Sequence, residues 1–573
     1  MDRTQILRFF YFVALLLITV RLFYWQVIKG EELQVMAENQ HQKTSTLQAQ
    51  RGSIYFSDGS ILTTNKPTYI LFGMPKVIKD PDFVAEKLTK ILYDTPGINL
   101  KGEELVSYLQ STKKIKEVLS QDLYWVQIEK NISLDKKLAI EKEGLPGIGF
   151  ENLVSRFYPE ASSGAHLLGF VGSDSGGRPT GYFGVEGFYN GELKGSSGLI
   201  TEEKDARGLP ILSGKFFKRE ATPGHDLILN IDRTVQYIAE KKLKAGILKY
   251  GAKAGSIIIL EPKTGKILAL ASYPNYDPGS FSSFPGDLYK NPVVADSYEP
   301  GSTFKVLVLA AALEEKLVES DTKCDICSGP VQVSGHTIRT WNSKYRPEAT
   351  MTDVIVHSDN TGMVFISRKL GLDNMYRYIQ DFGFGSLTQV DLQDETTPEI
   401  RNIDDWREID LATSSFGQGI AVTSIQMVRA VAAIANGGSL MEPQIVKAVK
   451  TKDKMVEIKP KVTRQILSPE TTKKVTQIMV EAVEKGESRV FAPKGFKIAG
   501  KTGTAQIPVA GHYDPDKTIA SFVGFAPADD PKFVMLVRYT EPSSSIFGSE
   551  TAAPTFFEVA KELFTYFRIT PTE

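Results

Sequence analysis

Ser302 and Lys305 stand three residues apart, a spacing that puts a hydroxyl and an amine on one helix face, one turn from each other. Such a pair can build an ester on the serine if the lysine takes the hydroxyl proton. Pro300 and Gly301 break the chain just ahead of the serine, and a helical run over 306–315 follows. The serine is therefore expected at a helix N-terminus, where unpaired backbone N–H groups favour an oxyanion. A lysine acts as a base only when neutral, and burial or a second cation lowers its pKa. Lys501 is the candidate second cation. It opens Lys501-Thr502-Gly503-Thr504, expected on a strand edge. There its ammonium and the threonine hydroxyls can hold a carboxylate, and Gly503 can let a substrate backbone lie close. Ser358-Asp359-Asn360 ends the amphipathic stretch 351–357. The Ser358 hydroxyl can relay a proton there, and the Asn360 amide can orient Lys305 or the substrate.

Each piece alone has an ordinary reading. Ser-x-x-Lys also occurs at Ser111 to Lys114 and at Ser133 to Lys136, and a second Lys-Thr-Gly stands at Lys263, Thr264 and Gly265, where it reads as a hairpin turn. An isolated Ser302 would be a helix cap, and Ser358 or Asp359 would be another. What is specific is the order: a serine with its lysine, then Ser-x-Asn, then Lys-Thr-Gly. Together they describe a serine acyltransferase whose base is a lysine.

The elements that must position these groups follow from periodicity. Strands are expected at 227–231, 256–260, 267–271, 520–525 and 533–539, with helices at 236–248, 304–315, 425–435 and 556–567. Strands at both ends with helices between give an α/β (α+β) fold with one antiparallel sheet covered by helices. At 573 residues the chain holds more than one domain. Three zones separate by composition: a cytoplasmic tip and transmembrane anchor at 1–28, a mixed zone at 29–222, and the motif-bearing zone at 223–573. Residues 9–28 are apolar with Arg21 the only charge, long enough to cross a hydrocarbon core of about 30 Å. Arg3 and Arg8 precede this run, and Glu31 and Glu32 follow it. The short N-terminus is therefore expected inside, and everything after about residue 29 outside the cytoplasm. Charge runs at 113–116 and 135–142 read as solvated helix faces. Lys+Arg 67 against Asp+Glu 68 leaves net −1, so no basic footprint points to nucleic acid.

The chain resembles the class B penicillin-binding proteins, the membrane-anchored peptidoglycan transpeptidases, over nearly its whole length. Beyond the three motifs, the resemblance rests on Leu22-Phe23-Tyr24-Trp25-Gln26-Val27 at the anchor exit. Arg51-Gly52-Ser53-Ile54-Tyr55, Gly59-Ser60-Ile61-Leu62, Gly184-Val185-Glu186 and Leu193-Lys194-Gly195-Ser196-Ser197-Gly198 match the pedestal. Thr264-Gly265-Lys266-Ile267-Leu268-Ala269 and Phe416-Gly417-Gln418-Gly419 match the catalytic domain. The stretches 500–506 and 521–527 look most like the division-type branch.

The resemblance implies an elongated mixed pedestal of dimerisation type at 29–222 and a penicillin-binding transpeptidase domain at 223–573. It implies that Ser302 attacks the carbonyl between the last two D-alanines of a stem peptide, that Lys305 takes its proton, and that Ser358 passes a proton to the departing D-alanine. Lys501, Thr502 and Thr504 hold the substrate carboxylate beside Gly503, and backbone N–H groups of Ser302 and Thr504 form the oxyanion hole. An amine from a neighbouring stem peptide then makes the cross-link. β-Lactams enter as inhibitors. No cofactor and no metal take part. The implied partners are a polytopic glycan polymerase and other division proteins, and the setting is septal wall synthesis.

Several alternatives share parts of this pattern. A β-lactamase carries the three motifs, but the Glu-x-x-Leu-Asn of class A is absent between Ser358 and Lys501. A D,D-carboxypeptidase differs only in using water as acceptor, and the pedestal signatures argue against it. An elongation-type transpeptidase and a non-catalytic division scaffold complete the set. Cys324-Asp325-Ile326-Cys327 admits free thiols, a short-loop disulfide, or a metal site with His336 that would need further ligands.

Overall fold

A computed structural model describes residues 2–33, 36, 42–93, 103–203, 216–509 and 512–571. The chain forms two compact units, one of residues 1–52 with 194–224 and the other of residues 53–193 with 225–573. In the first, the apolar N-terminal run is helical over Arg3–Phe23 and continues through a wider turn, Tyr24–Ile28. These 26 residues span about 39 Å at the usual helical rise, and none of them is buried. The Arg21 guanidinium lies over the Trp25 and Tyr24 rings, 5.2 and 5.9 Å from their centroids, at the end of the apolar stretch. The same unit contains a three-stranded antiparallel sheet in which Gly198–Glu203 pairs with Gln42–Leu47 on one side and Phe216–Arg219 on the other.

The second unit begins with a sheet centred on the long strand Ile61–Gly73, which pairs with Ile54–Tyr55, Val126–Ile132 and Ile148–Phe157. The helices Pro81–Leu92 and Glu103–Leu119 pack Val84, Leu88, Ile115 and Leu119 against Leu71 and Val126. Lys113 and Lys116 of the second helix face outward, where they pair with Glu117 and Asp82, as the solvated-face reading expects. Ser133 caps the helix Leu134–Lys142 by accepting from the Lys136 N–H, so this Ser-x-x-Lys is a cap. Glu186 is fully buried and pairs with Arg156 at 2.6 Å. Removing one partner of such a pair strands a charge in the core, at a cost of about 3–5 kcal/mol. That is a physical reason for an acid in Gly184-Val185-Glu186.

The sheet does not stop at residue 222. Ile54–Tyr55 pairs in parallel with Asp226–Leu229, which pairs antiparallel with Val446–Lys450. Residues on both sides of the expected 222/223 boundary therefore share one sheet.

The motif-bearing portion is built on five antiparallel strands: β1 (Ala254–Leu260), β2 (Ile267–Tyr273), β3 (Ala499–Val509), β4 (His512–Ala526) and β5 (Phe533–Thr540). Their order is β2-β1-β5-β4-β3, which leaves β3 at an edge. Both faces are covered, so these strands read as near-continuous apolar runs. Ile257 and Ile259 of β1, with Phe533, Met535 and Val537 of β5, pack on the helices Arg233–Tyr250 and Ala552–Tyr566. Ile258, Leu260, Val534 and Leu536 point the other way, into the larger core with the helices Lys305–Glu314 and Ser424–Ala435. Lys263, Thr264 and Gly265 form the turn between β1 and β2, where Lys263 pairs with Asp530 at 2.7 Å. This is the expected hairpin, and none of its three residues lines the cleft that holds Ser302.

Candidate active site

Ser302 lies in a single tight turn, Gly301–Thr303, that leads into the helix Lys305–Glu314. Two backbone approaches fix this turn. Gly301, at φ +55°, donates its N–H to the Gly417 carbonyl at 3.0 Å, and a side chain on Gly417 would collide with the Gly301 backbone. Thr303 Oγ1 ties back to the Pro300 carbonyl at 2.7 Å. Lys305, one turn on, has no exposed surface at all. Its Nζ donates to the Ser358 carbonyl and to Asn360 Oδ1, both at 2.7 Å, with Ser358 Oγ at 3.4 Å.

Ser358 occupies the bend between the helices Met351–Val356 and Asn360–Asp381, at φ +55°. A non-glycine residue there is strained, and the neighbour holds it. Asp359 Oδ1 accepts from the N–H groups of Thr361 and Gly362 and so caps the second helix. Capping thus falls to Asp359 and leaves the Ser358 hydroxyl to the site. Asn360 also donates from Nδ2 to the Arg339 carbonyl at 3.0 Å, which fixes the amide with its oxygen toward Lys305.

Lys501, Thr502, Gly503 and Thr504 lie on the edge strand β3, as expected. Lys501 Nζ reaches Ser358 Oγ at 3.1 Å and the carbonyl and hydroxyl of Thr502 at 3.2 Å. Ser358 Oγ therefore sits between the two lysine amines. Gly503 also packs closely against its own chain. A Cβ there would collide with Ser521 Oγ of β4 and stand 2.8 Å from Thr303 Cγ2 and 3.1 Å from the Pro300 carbonyl oxygen, so the glycine makes room for both the neighbouring strand and the turn that carries Ser302. The Thr504 hydroxyl accepts from the Gly548 N–H at 3.1 Å.

Electrostatics match this packing. Burial pushes the Lys305 amine well below the ordinary lysine range, and the Lys501 charge pushes it further; Asp359 and Glu487 oppose both only partly. Burial holds Lys501 at about 8, against an opposing pull from Glu487. Both displacements favour the neutral amine over the charged one.

Ser302, Ser358, Asn360, Thr502 and Thr504 line one open cleft of about 340 Å³, and the two lysines lie beneath it. Sequence reasoning missed Trp341, Phe547 and Glu487 on its walls. Trp341 and Phe547 meet edge to face at 5.5 Å. Tyr513 of β4 donates to the Glu299 carboxylate at 3.0 Å, which also accepts from the Gly419 N–H at 3.0 Å. One acid close in sequence to the Ser302 turn thus ties the β3–β4 hairpin to the loop 416–419. Cys324 and Cys327 form a disulfide and are buried, which resolves the alternatives left by their spacing.

A serine in a tight turn, a buried lysine beneath it and a second lysine on an adjoining strand edge define the serine acyltransferases that use lysine as base. Comparison with known proteins narrows this class. A family model described as the penicillin binding protein transpeptidase domain matches residues 255–561, and one described as the penicillin-binding protein dimerisation domain matches residues 46–229. The chain belongs to the penicillin-binding proteins, in class B. It is 33% identical to "Stage V sporulation protein D" of Bacillus subtilis over 95% of this chain and 82% of that one. It is 29% identical to "Probable peptidoglycan D,D-transpeptidase PenA" of Neisseria gonorrhoeae over 96% of this chain and 90% of the relative. The crystal structure of Penicillin Binding Protein 2X from Streptococcus thermophilus superposes with a TM-score of 0.73 at 25% identity, covering 91% of this chain and 80% of that one.

Proposed function

We propose that this chain is a division-type peptidoglycan D,D-transpeptidase that cross-links stem peptides through an ester on Ser302. The observation that carries the proposal is the environment of Lys305 Nζ. A neutral amine has two N–H groups and one lone pair. The carbonyl oxygens of Ser358 and Asn360, both at 2.7 Å, take the two N–H groups and leave the lone pair for the Ser302 hydroxyl. Ser302 Oγ then attacks the carbonyl between the terminal D-alanines, and its proton passes to Lys305. Backbone N–H groups of Ser302 and Thr504 receive the oxyanion. Lys501, with the hydroxyls of Thr502 and Thr504, holds the donor carboxylate across Gly503. Ser358 Oγ, in reach of both lysines, hands the proton to the leaving D-alanine nitrogen. An amine from a neighbouring stem peptide resolves the ester by the reverse route. A β-lactam follows the first half and stays on Ser302.

The apolar helix Arg3–Ile28 anchors the chain in the membrane. Arg3 and Arg8 ahead of it support an inside N-terminus and an extracytoplasmic catalytic portion. The dimerisation-type region is the surface we assign to a polytopic glycan polymerase and other division proteins, in septal wall synthesis. Incubating the detergent-solubilised chain with uncross-linked glycan strands bearing pentapeptides tests the activity. One D-alanine should be released per cross-link formed. Release of D-alanine without cross-links would replace the transpeptidase with a hydrolase.

A further inference from the structure

The transpeptidase reading leaves one component of the reaction without a binding group. The donor brings a carboxylate, for which Lys501 and the threonines are available. The acceptor brings an amine, which reaches the site as an ammonium. Among the described residues that line the cleft, Glu487 is the only one with an ionisable side chain. It follows the helix Pro469–Lys485, separated from it by Gly486, and is exposed on the cleft wall. It also borders a smaller recess with Ser358, Lys501 and Thr502, which sets it beside the proton-relay serine. It is in no direct ion pair among the described residues, while its carboxylate accepts from the Ser549 hydroxyl and its charge acts on Lys501 and Lys305.

Once D-alanine has left, its carboxylate has gone too, and Glu487 is the carboxylate left on the cleft wall to offset the Lys501 charge. An incoming ammonium would meet a positive wall, unless a carboxylate on the same wall offsets it. We propose that Glu487 is the acceptor-binding residue, holding the ammonium of the incoming amine beside Ser358; this rests on the transpeptidase reading of Ser302. The ammonium sheds one proton to solvent at the open cleft. As the C–N bond forms, the amine's second proton passes through Ser358 to Lys305. The C–O bond to Ser302 breaks, and Lys305 returns that proton to Ser302 Oγ.

The test uses the detergent-solubilised full chain with a stem pentapeptide donor and two soluble acceptors. Glycinamide is a cationic primary amine at neutral pH, whereas hydroxylamine is an uncharged nucleophile there. For Glu487→Gln, the glycinamide concentration needed for half-maximal capture should rise about tenfold. The ratio of glycinamide to hydroxylamine capture should therefore fall about tenfold, a readout from which any change in Lys305 or Lys501 on losing the Glu487 charge cancels, because both nucleophiles meet the same lysines. Glu487→Asp should recover part of the glycinamide response. A parallel loss with both nucleophiles would make Glu487 a structural or lysine-tuning residue and overturn the proposal, as would an unchanged response to glycinamide. Wild-type protein that forms no acyl-enzyme would fail at the earlier step, overturning the transpeptidase reading and this proposal with it.

Discussion

Lys305→Met is expected to slow acylation of Ser302 by penicillin about 10³- to 10⁴-fold, the range associated with loss of a positioned general base. Methionine has nearly the length of lysine and no charge, so it fits a site with no exposed surface. It leaves the Ser358 carbonyl and Asn360 Oδ1 without their donor, a cost of about 1–3 kcal/mol each, partly offset by removing a buried amine. The variant should therefore fold, and thermal unfolding with circular dichroism checks this beside the stopped-flow acylation rate. The wild-type profile carries a second signature. Because the Lys305 amine is depressed in the folded state, the unfolded chain binds more protons between that depressed value and the ordinary lysine value. Stability should therefore rise with pH across that window, and Lys305→Met should flatten the rise. A loss below tenfold in acylation would move the base elsewhere.

Lys501→Met is expected to lower kcat/KM for acylation by about 10²- to 10³-fold, as the donor carboxylate loses its charged partner. Its effect on pH dependence is the more specific. On the proposed mechanism acylation requires neutral Lys305 and charged Lys501, so the wild-type rate should climb as Lys305 loses its proton and fall as Lys501 discharges near 8. Removing the Lys501 charge removes one of the causes that depress Lys305. The rising limb should then move to higher pH, and the falling limb should disappear. An unchanged bell in the variant would mean that neither limb belongs to these lysines.

The parts of the site that were legible in the sequence are those whose chemistry is local. Ser302 with Lys305 is a turn of helix, and Lys501 to Thr504 is a strand edge. What joins them is long-range: Lys305 meets Ser358 across 53 residues, and Lys501 meets Ser358 across 143. Only the order of the motifs hinted at that meeting. The strands around 254–273 and 533–540 were legible because apolar runs bounded by turns leave little choice of element.

Glu487 was not legible, because Glu481 and Glu484 in the same segment look identical to it in sequence and face solvent around the helix. Its role depends on Gly486 ending the helix so that the next residue borders the cleft. Trp341 and Phe547 come together from distant loops, and nothing near either residue encodes the other. The closeness of the chain at Gly503 was legible, but not that Ser521 and Thr303 crowd it, since a glycine does not say which segment approaches. The pedestal strands were blurred because Ile61–Gly73 pairs with Ile148–Phe157 across intervening helices, and its mixed burial disrupts simple alternation.

The central claim is that Ser302 is the nucleophile of a slowly hydrolysed acyl-enzyme. Intact-protein mass spectrometry of the detergent-solubilised full chain after incubation with penicillin tests it, with Ser302→Ala alongside. Wild type should gain the mass of one intact penicillin, keep it for minutes or longer, and map it to the Ser302 peptide, while Ser302→Ala gains none. An adduct that persists in folded Ser302→Ala, or rapid drug turnover without a stable adduct in wild type, would contradict the account.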